Sequence, residues 1–291
     1  MSQTYSHSVP EEVAAQRIQE YGVGLFGPIP TKSALKKALK KGLITVNGRV
    51  ATTATLIQGG EHIEFSPAPI QLPERKFDLK LKVLFEDDYL AIIDKPAGVL
   101  VSGNSFMTIT NALPQNLTSS TQADAVLPKP VHRLDFATTG ILLVGKTADS
   151  IRRLTRLFEN KEIHKCYYAV TMGSMNPVGI IDQDIEGKGA TSHYEQVTSV
   201  NSPRFKQLNL VKLLPKTGRR HQLRRHLSGM GNPILGDRDY SPEHLILKGK
   251  GMYLHAYSLE FTHPFSGQKV LKTAPLPTRF AKIFPKESLP D

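Results

Sequence analysis

Residues 131–144 read VHRLDFATTGILLV, and no other stretch restricts the fold as much. Ile141, Leu142, Leu143 and Val144 form an unbroken apolar run between Gly140 and Gly145, which predicts a buried strand. Ahead of it, His132, Arg133 and Asp135 surround Leu134, placing an imidazole, a guanidinium and a carboxylate side by side. This polar segment is predicted to be a loop at the strand's mouth, a favoured place for chemistry because the strand holds it rigid. Taken alone, the string reads first as an Arg133–Asp135 ion pair that steadies a turn.

At 291 residues, 40% hydrophobic and 22% charged, the chain has globular composition and the length of one or two domains, which excludes a disordered or fibrous protein. Lys and Arg number 37 against 26 Asp and Glu, a net charge of +11. The imbalance points to nucleic acid as a partner, with plain solubility as the alternative. Cys166 is the single cysteine, so internal disulfides and a cysteine-rich zinc site are excluded and a reducing compartment is expected. The opening MSQTYSHSVPEE has no basic segment leading into an apolar core, and no apolar run reaches membrane-spanning length. A soluble cytoplasmic protein without membrane association is expected.

Pro10, Glu11 and Glu12 can open a helix running to Tyr21. In TKSALKKALKKG the lysines Lys32, Lys36, Lys37, Lys40 and Lys41 fall on one broad helical face, while Ala34, Leu35, Ala38 and Leu39 turn the other way. Thr31 suits the N-cap and Gly42 the stop. No acid stands among those lysines, so the face is not expected to be laced with salt bridges. Asn47-Gly48 signals a two-residue hairpin, and EHIEF after Gly59-Gly60 alternates like a further strand. Helix, hairpin and strand together resemble an S4-type RNA-binding module, in which a basic helix face lies on phosphates; a solvated lysine face is the alternative. Residues 67–76, PAPIQLPERK, are proline-rich and predict a stiff linker. The division is therefore an S4-like domain with an N-terminal extension over 1–66, a linker over 67–76 and a second domain over 77–291.

In LKVLFEDDYLAIIDKPAG two strands meet at Asp87-Asp88, and so brief a turn makes them antiparallel. The polar segment 102–129 is too long for a bare loop, and a helix is predicted from Thr108 to Leu113. TADSIRRLTRLFEN sets Ile151, Leu154, Leu157 and Phe158 at helical spacing, opposite Arg152, Arg153 and Arg156. KCYYAVTMG alternates Tyr167, Ala169 and Thr171 against Tyr168 and Val170 as a strand does. Strands are also predicted near 191–197, 208–214, MYLHA and SLEFTHP. In KTGRRHQLRRHLSGMG, Leu223 and Leu227 anchor a short helix with Arg220 and Arg224 on one stripe, ended by Gly229 and Gly231. Strands outnumber helices and few are joined by helices, so the class is α+β with a largely antiparallel or mixed sheet.

Three separated motifs now fall into one order. His132-Arg133-Leu134-Asp135 with Thr138, Thr139 and Gly140 comes first, then Lys165, Tyr167, Ala169 and Gly173, then residues 217–224 with 233–237. Together with Lys95-Pro96-x-Gly98 upstream, this order resembles the RluA-type pseudouridine synthases over residues 80–280. An S4-like attachment is common in that family.

The resemblance implies an RNA-modifying isomerase that needs no cofactor and no metal. It implies structured RNA as substrate, with ribosomal large-subunit RNA favoured and transfer RNA possible, no obligate protein partner, and a monomer. Asp135 is implied as the catalytic residue, either attacking the ribose C1′ or removing the C2′ proton. Arg224 matches the arginine that pairs with it, and a neighbouring guanidinium favours and aims an ionised carboxylate. Tyr167 matches the tyrosine that packs on the base and helps move the C5 proton; a core aromatic is the alternative. Arg133 corresponds to a residue that enters the RNA where the uridine leaves, against bonding to local carbonyls, and extrusion of a base costs roughly a few kcal/mol. Arg219 and Arg220 are assigned to RNA contact with the lysine face. His132, His221, His226 and His255 are read as structural hydrogen-bonding residues, since no metal-spaced ligands accompany them. Thr139 in place of a more usual serine, and Arg225 in place of an apolar residue, remove no needed group.

Two rivals remain. An RNA-binding protein with an inactive synthase domain predicts loss of the aspartate, tyrosine or second arginine, and all three are present. A hydrolase such as an N-glycosidase generally wants a second carboxylate; Asp237 is the nearest, and the resemblance makes it structural.

Overall fold

The computed structural model describes residues 4–67, 76–247, 249 and 251–290. The predicted linker, from 68 to 75, lies outside the described residues.

The N-terminal unit runs β1 (Tyr5–Ser8), β2 (Gln16–Arg17), α1 (Ile18–Tyr21), α2 (Lys32–Lys40), β3 (Ile44–Val46), β4 (Arg49–Val50), β5 (Leu56–Ile57) and β6 (His62–Phe65). Its main sheet has the order β1-β6-β3-β4. Thr31 caps α2 by accepting the Ala34 N–H at 3.2 Å, and Leu35, Ala38 and Leu39 pack with Ile44, Ile57, Ile63 and Phe65 in a core of their own. Asn47 and Gly48 both take positive φ, 48° and 76°, which a tight hairpin between β3 and β4 requires. The helix expected from Pro10 to Tyr21 is replaced by irregular chain, the two-residue strand β2 and a single helical turn. Of residues 10–17 only Val13 packs on the core, and the chain is tied down at both ends of the segment, Val9 N–H bonding Glu61 O at 2.8 Å and Gly60 N–H bonding Val9 O at 3.1 Å at one end, and β2 pairing with β5 at the other. Tertiary pairing thus outweighs a modest local preference for helix.

The larger unit comprises β7 (Lys82–Glu86), β8 (Leu90–Lys95), α3 (Ile109–Ala112), β9 (Ala125–Pro130), β10 (Thr139–Thr147), α4 (Ala148–Glu159), β11 (His164–Met172), β12 (Val178–Asp182), β13 (Thr191–Ser202), β14 (Lys206–Pro215), α5 (Gln222–Gly229), β15 (Leu254–Thr262) and β16 (Lys269–Thr273). Ten strands form one sheet in the order β12-β13-β14-β11-β15-β10-β8-β7, with β16 on β15 and β9 on β10. Every pair is antiparallel except β10 with β15. The sheet is therefore mixed and largely antiparallel, as the α+β class predicts.

The predicted apolar run lies near the middle of this sheet. Leu142 and Val144 face one core with Ile109 and Leu113, while Ile141 and Leu143 face another with Leu154 and Phe261. A strand buried on both faces has to be apolar at every position, which explains the unbroken run. Helix α4 covers the second face and starts with a reciprocal Thr147–Ser150 capping box. The helix expected within 108–113 is α3, capped by Thr108.

Three strands of this unit, β9, β12 and β16, fall outside the sequence expectations. β9 carries Pro128 and Pro130, which argue locally against a strand; it pairs only with β10, so its other side needs no donors. The separate strands expected at MYLHA and SLEFTHP contribute to one continuous strand, β15.

Insertion of β15 between β10 and β11 sets up the site. Ala256 lies opposite Gly140 on one side and opposite Tyr167 on the other. Gly140 has φ +106°, and a Cβ there would run into Ala256 O, so no other residue admits β15 this closely.

Candidate active site

The loop entering β10 is organised by alternation. His132 is held at the sheet, where its Nε2 accepts the Leu143 N–H at 2.9 Å and its ring rests on Phe158 at 4.7 Å between centroids. Burial lowers its pKa to about 3, which keeps the ring neutral and able to accept. Leu134 is buried beside Leu142 and Val144. The residues between and after these anchors, Arg133 and Asp135, therefore line the cleft in front of the sheet.

Behind Asp135 the chain turns sharply, Thr138 N–H bonding Asp135 O at 3.1 Å. Lys95, at the inner end of β8 and fully buried, holds that turn. Its ammonium donates to Pro96 O and Thr138 O, both at 2.9 Å, and to Phe136 O at 3.4 Å. Burial lowers its pKa to about 8, opposed by Asp135. The Lys-Pro-x-Gly string is visible in the sequence, but it assigns this lysine no task. The available signal is its position at the end of AIID, where a buried strand's inward face admits a lysine only if its charge is satisfied.

Tyr167 reaches the same cleft from β11. A bulge places Cys166 opposite Ser258 but Tyr167 opposite Ala256, so the pairing slips by one residue just there. The ring packs against buried residues on both sides of the cleft floor. Its hydroxyl bonds no protein group among the described residues. Burial first, then the Asp135 carboxylate, pushes its pKa well above the usual phenol range.

The third contribution is α5. Leu223 and Leu227 pack on Ala169, Val211 and Leu213, which turns Arg224 toward the cleft. The guanidinium is forked onto Asp237, Nε to Oδ2 and Nη2 to Oδ1 both at 2.7 Å, and Nη2 also reaches Asp239 at 2.5 Å. Burial by itself would lower its pKa, but the two carboxylates raise it, so Arg224 stays charged. Its remaining nitrogen, Nη1, stands 3.6 Å from Asp135 Oδ2. Arg224 thus meets Asp135 as expected, though at ion-pair distance and with Asp237 as its stronger partner. Asp237 is wholly buried in that bond and is not available as a second acid.

His221 belongs to the site, contrary to the purely structural role expected of it. It caps α5 in the left-handed conformation, φ 54°, with Nε2 3.7 Å from Asp135 Oδ1 and Nδ1 2.9 Å from the Tyr240 hydroxyl. His226 and His255 keep structural bonds, His226 to Ser192 Oγ and Gln183 O and His255 to Thr139 Oγ1 and Ala274 O. Arg220 does not share a helical stripe with Arg224, because the helix starts only at Gln222. Both Arg220 and Arg219 are exposed, and Arg219 Nε bonds Gly189 O at 3.1 Å.

Arg133 is exposed, and its side chain has no hydrogen-bond or ion-pair partner among the described residues. It forms no pair with Asp135, so the loop is not an ion-paired turn. The five predicted lysines, four in α2 and Lys41 at its C-cap, are all exposed, but Lys32 is paired with Glu20 of α1 at 2.5 Å. The acid absent along the helix is supplied by the preceding one.

The cleft has a volume of about 970 Å³, and Arg133, Lys161, Lys165, Lys216, Arg219 and Arg220 line it beside Asp135 and Glu159. A hollow this size with that surplus of cations suits a polyanion. A carboxylate, a neutral phenol and a fixed guanidinium converge in it.

Residues 89–229 match the model of a family described as RNA pseudouridylate synthase. The ribosomal large subunit pseudouridine synthase D of Nitrosomonas europaea is 32% identical, covering 96% of this chain and 87% of its own length. The synthase C of Rickettsia felis is 31% identical over 93% of this chain and 96% of the relative. Among solved structures, human RNA pseudouridylate synthase domain containing 4 aligns with 26% identity and a TM-score of 0.56, covering 69% of this chain and 90% of its own. With motifs, sheet and relatives in agreement over most of its length, this chain belongs to the RluA-type RNA pseudouridine synthases, enzymes that isomerise uridine in RNA.

Proposed function

We propose that this enzyme makes pseudouridine in large-subunit ribosomal RNA, with Asp135 acting on the ribose, Tyr167 against the base and Arg224 fixing the carboxylate. The observation that carries the reading is their convergence from three sequence motifs into one basic cleft. The substrate follows the names of the relatives, which are ribosomal large subunit synthases; action on ribosomal RNA supports a cytoplasmic location. One chain supplies the whole site, which supports action as a monomer.

Asp135 can serve in either of two ways. Its carboxylate attacks C1′, or it takes the C2′ proton to give a glycal; in both, the uracil is released, turned and rejoined through C5. Arg224, anchored by Asp237, presents a rigid cation to one carboxylate oxygen. Tyr167, neutral and with a hydroxyl that bonds no protein group among the described residues, is read as stacking on the base and relaying the C5 proton. Arg133, exposed and without a side-chain partner among the described residues, suits the gap left by an extruded nucleotide, and Arg219 and Arg220 suit the adjoining phosphates.

Residues 1–66, with their separate core, are read as an S4-like RNA-binding domain joined through 67–76 to a catalytic domain over 77–291. Lys36, Lys37, Lys40 and Lys41 face solvent, and Lys32 joins them only by exchanging its pairing with Glu20 for a phosphate.

The test is release of tritium from C5-tritiated ribosomal RNA, with Asp135→Asn as control. Release by the wild type and at least about a thousandfold less by the variant is expected, the scale of losing a group required for chemistry. Equal release by both removes Asp135 from the proposed role. Release from transfer RNA alone replaces the substrate.

A further inference from the structure

His221 stands in the cleft with a strained backbone and a hydrogen bond on one side only. A non-glycine residue at φ 54° costs free energy and persists only where its surroundings fix it. Here Arg225 N–H bonds His221 O at 2.9 Å as the first turn of α5, so the side chain leaves the helix start toward Asp135. The two Asp135 oxygens then have different neighbours, Arg224 Nη1 at 3.6 Å from Oδ2 and His221 Nε2 at 3.7 Å from Oδ1.

Tyr240 controls the other end of the imidazole. Its hydroxyl is 2.9 Å from Nδ1, and its ring meets the imidazole edge-on at 81°. The tyrosine is itself fixed: its N–H bonds Asp237 Oδ1 at 3.3 Å, its carbonyl accepts Ser228 Oγ at 2.6 Å, and the Arg224 guanidinium lies 4.9 Å from its ring centre. The residue that anchors Arg224 therefore also anchors the tyrosine that holds His221.

We propose that His221, oriented by Tyr240, is a positioning residue that fixes the second oxygen of Asp135. The inference rests on the proposed role of Asp135 at the ribose. A carboxylate offers only lone pairs, so the ring nitrogen facing it carries the proton, and Nδ1 accepts from the tyrosine. Burial lowers the His221 pKa, helped by Arg224 and Arg220 and opposed by Asp135 and Asp239. Near neutral pH the ring is uncharged: it braces the carboxylate without forming an ion pair that would compete with the sugar. The 3.7 Å separation closes to hydrogen-bond reach when substrate fills the cleft, as catalytic contacts commonly do.

The experiment measures kcat, KM and the pH profile on ribosomal RNA for the wild type, D135N, H221G, H221N, H221Q and Y240F, with circular dichroism to establish folding. Glycine and asparagine both accept the left-handed backbone, and glutamine alone of the three can return an N–H to the Nε2 position. The expected result is a kcat lower by about 10–100-fold in H221G and H221N with little change in KM, the scale of a misplaced reacting group. Partial recovery is expected in H221Q. In Y240F the loss of the donor frees Nδ1 to bind a proton, so the acid limb of kcat moves to higher pH. A kcat within about 3-fold of wild type in folded H221G or H221N, half a log unit and too little for a positioning role, overturns the proposal. So does an unmoved acid limb in Y240F. If H221G does not fold, H221N decides. An active D135N overturns the underlying reading instead, whatever the histidine variants do.

Discussion

At the scale of single residues, burial shifts the ionisation of several side chains around the cleft, Lys95, His132 and Tyr167 among them. His132 and His255 both accept hydrogen bonds, and burial lowers their pKa values to about 3 and about 4 from 6.5. The unfolded chain therefore binds protons that the folded chain refuses, so stability is full above pH 6.5 and falls as the pH drops below it toward 4. Urea unfolding across that range should show the decline, and His132→Gln should flatten it while lowering stability at neutral pH. A slope unchanged by the substitution would remove His132 as a cause. Asp135, Tyr167 and Arg224 are legible in the sequence through their motifs. Lys95 and His221 are not, because the task of each depends on partners brought by other elements: three carbonyls for the lysine, Tyr240 and Asp135 for the histidine.

At the scale of elements, the decisive contact is the short parallel junction of β10 with β15, Thr139 against His255 and Gly140 against Ala256. Gly140→Ala puts a Cβ into Ala256 O and demands a φ that alanine avoids. A loss of roughly 2–4 kcal/mol is expected, with kcat falling as well because Asp135 enters through this strand end. Denaturant titration and the tritium assay on the same preparation would check both, and wild-type stability would mean that the junction yields easily. The elements most readable in the sequence are those with uninterrupted periods, such as β10, α2 and α4. The others are decided from outside: the stretch after β1 by Val9 bonding near the β6 turn and by β2 pairing with β5, and β9 by lying at one side of β10, where its prolines do no harm.

At the scale of the whole molecule, basic residues gather at two places, the cleft and the outer face of α2. If both hold one RNA, replacing Lys36, Lys37 and Lys40 by glutamine should weaken binding. The salt dependence should then lessen by about one unit of slope for each phosphate released, with kcat at saturating RNA preserved. Binding measured over a salt series tests this, and an unchanged slope would make that face merely solvated. Local pattern and motif were enough to establish the buried strand, the basic helix and the α+β class, and to nominate Asp135, Tyr167 and Arg224 for the chemistry. It took the assembled sheet to establish that β15 lies between β10 and β11, that Arg133 stands free of Asp135, and that Arg224 is tied first to Asp237. The difference is one of range. Periodicity marks which face of an element is buried, but pairing between residues as distant in the chain as Gly140 and Ala256 leaves no periodic trace, and the neighbours of Asp135 follow from that pairing.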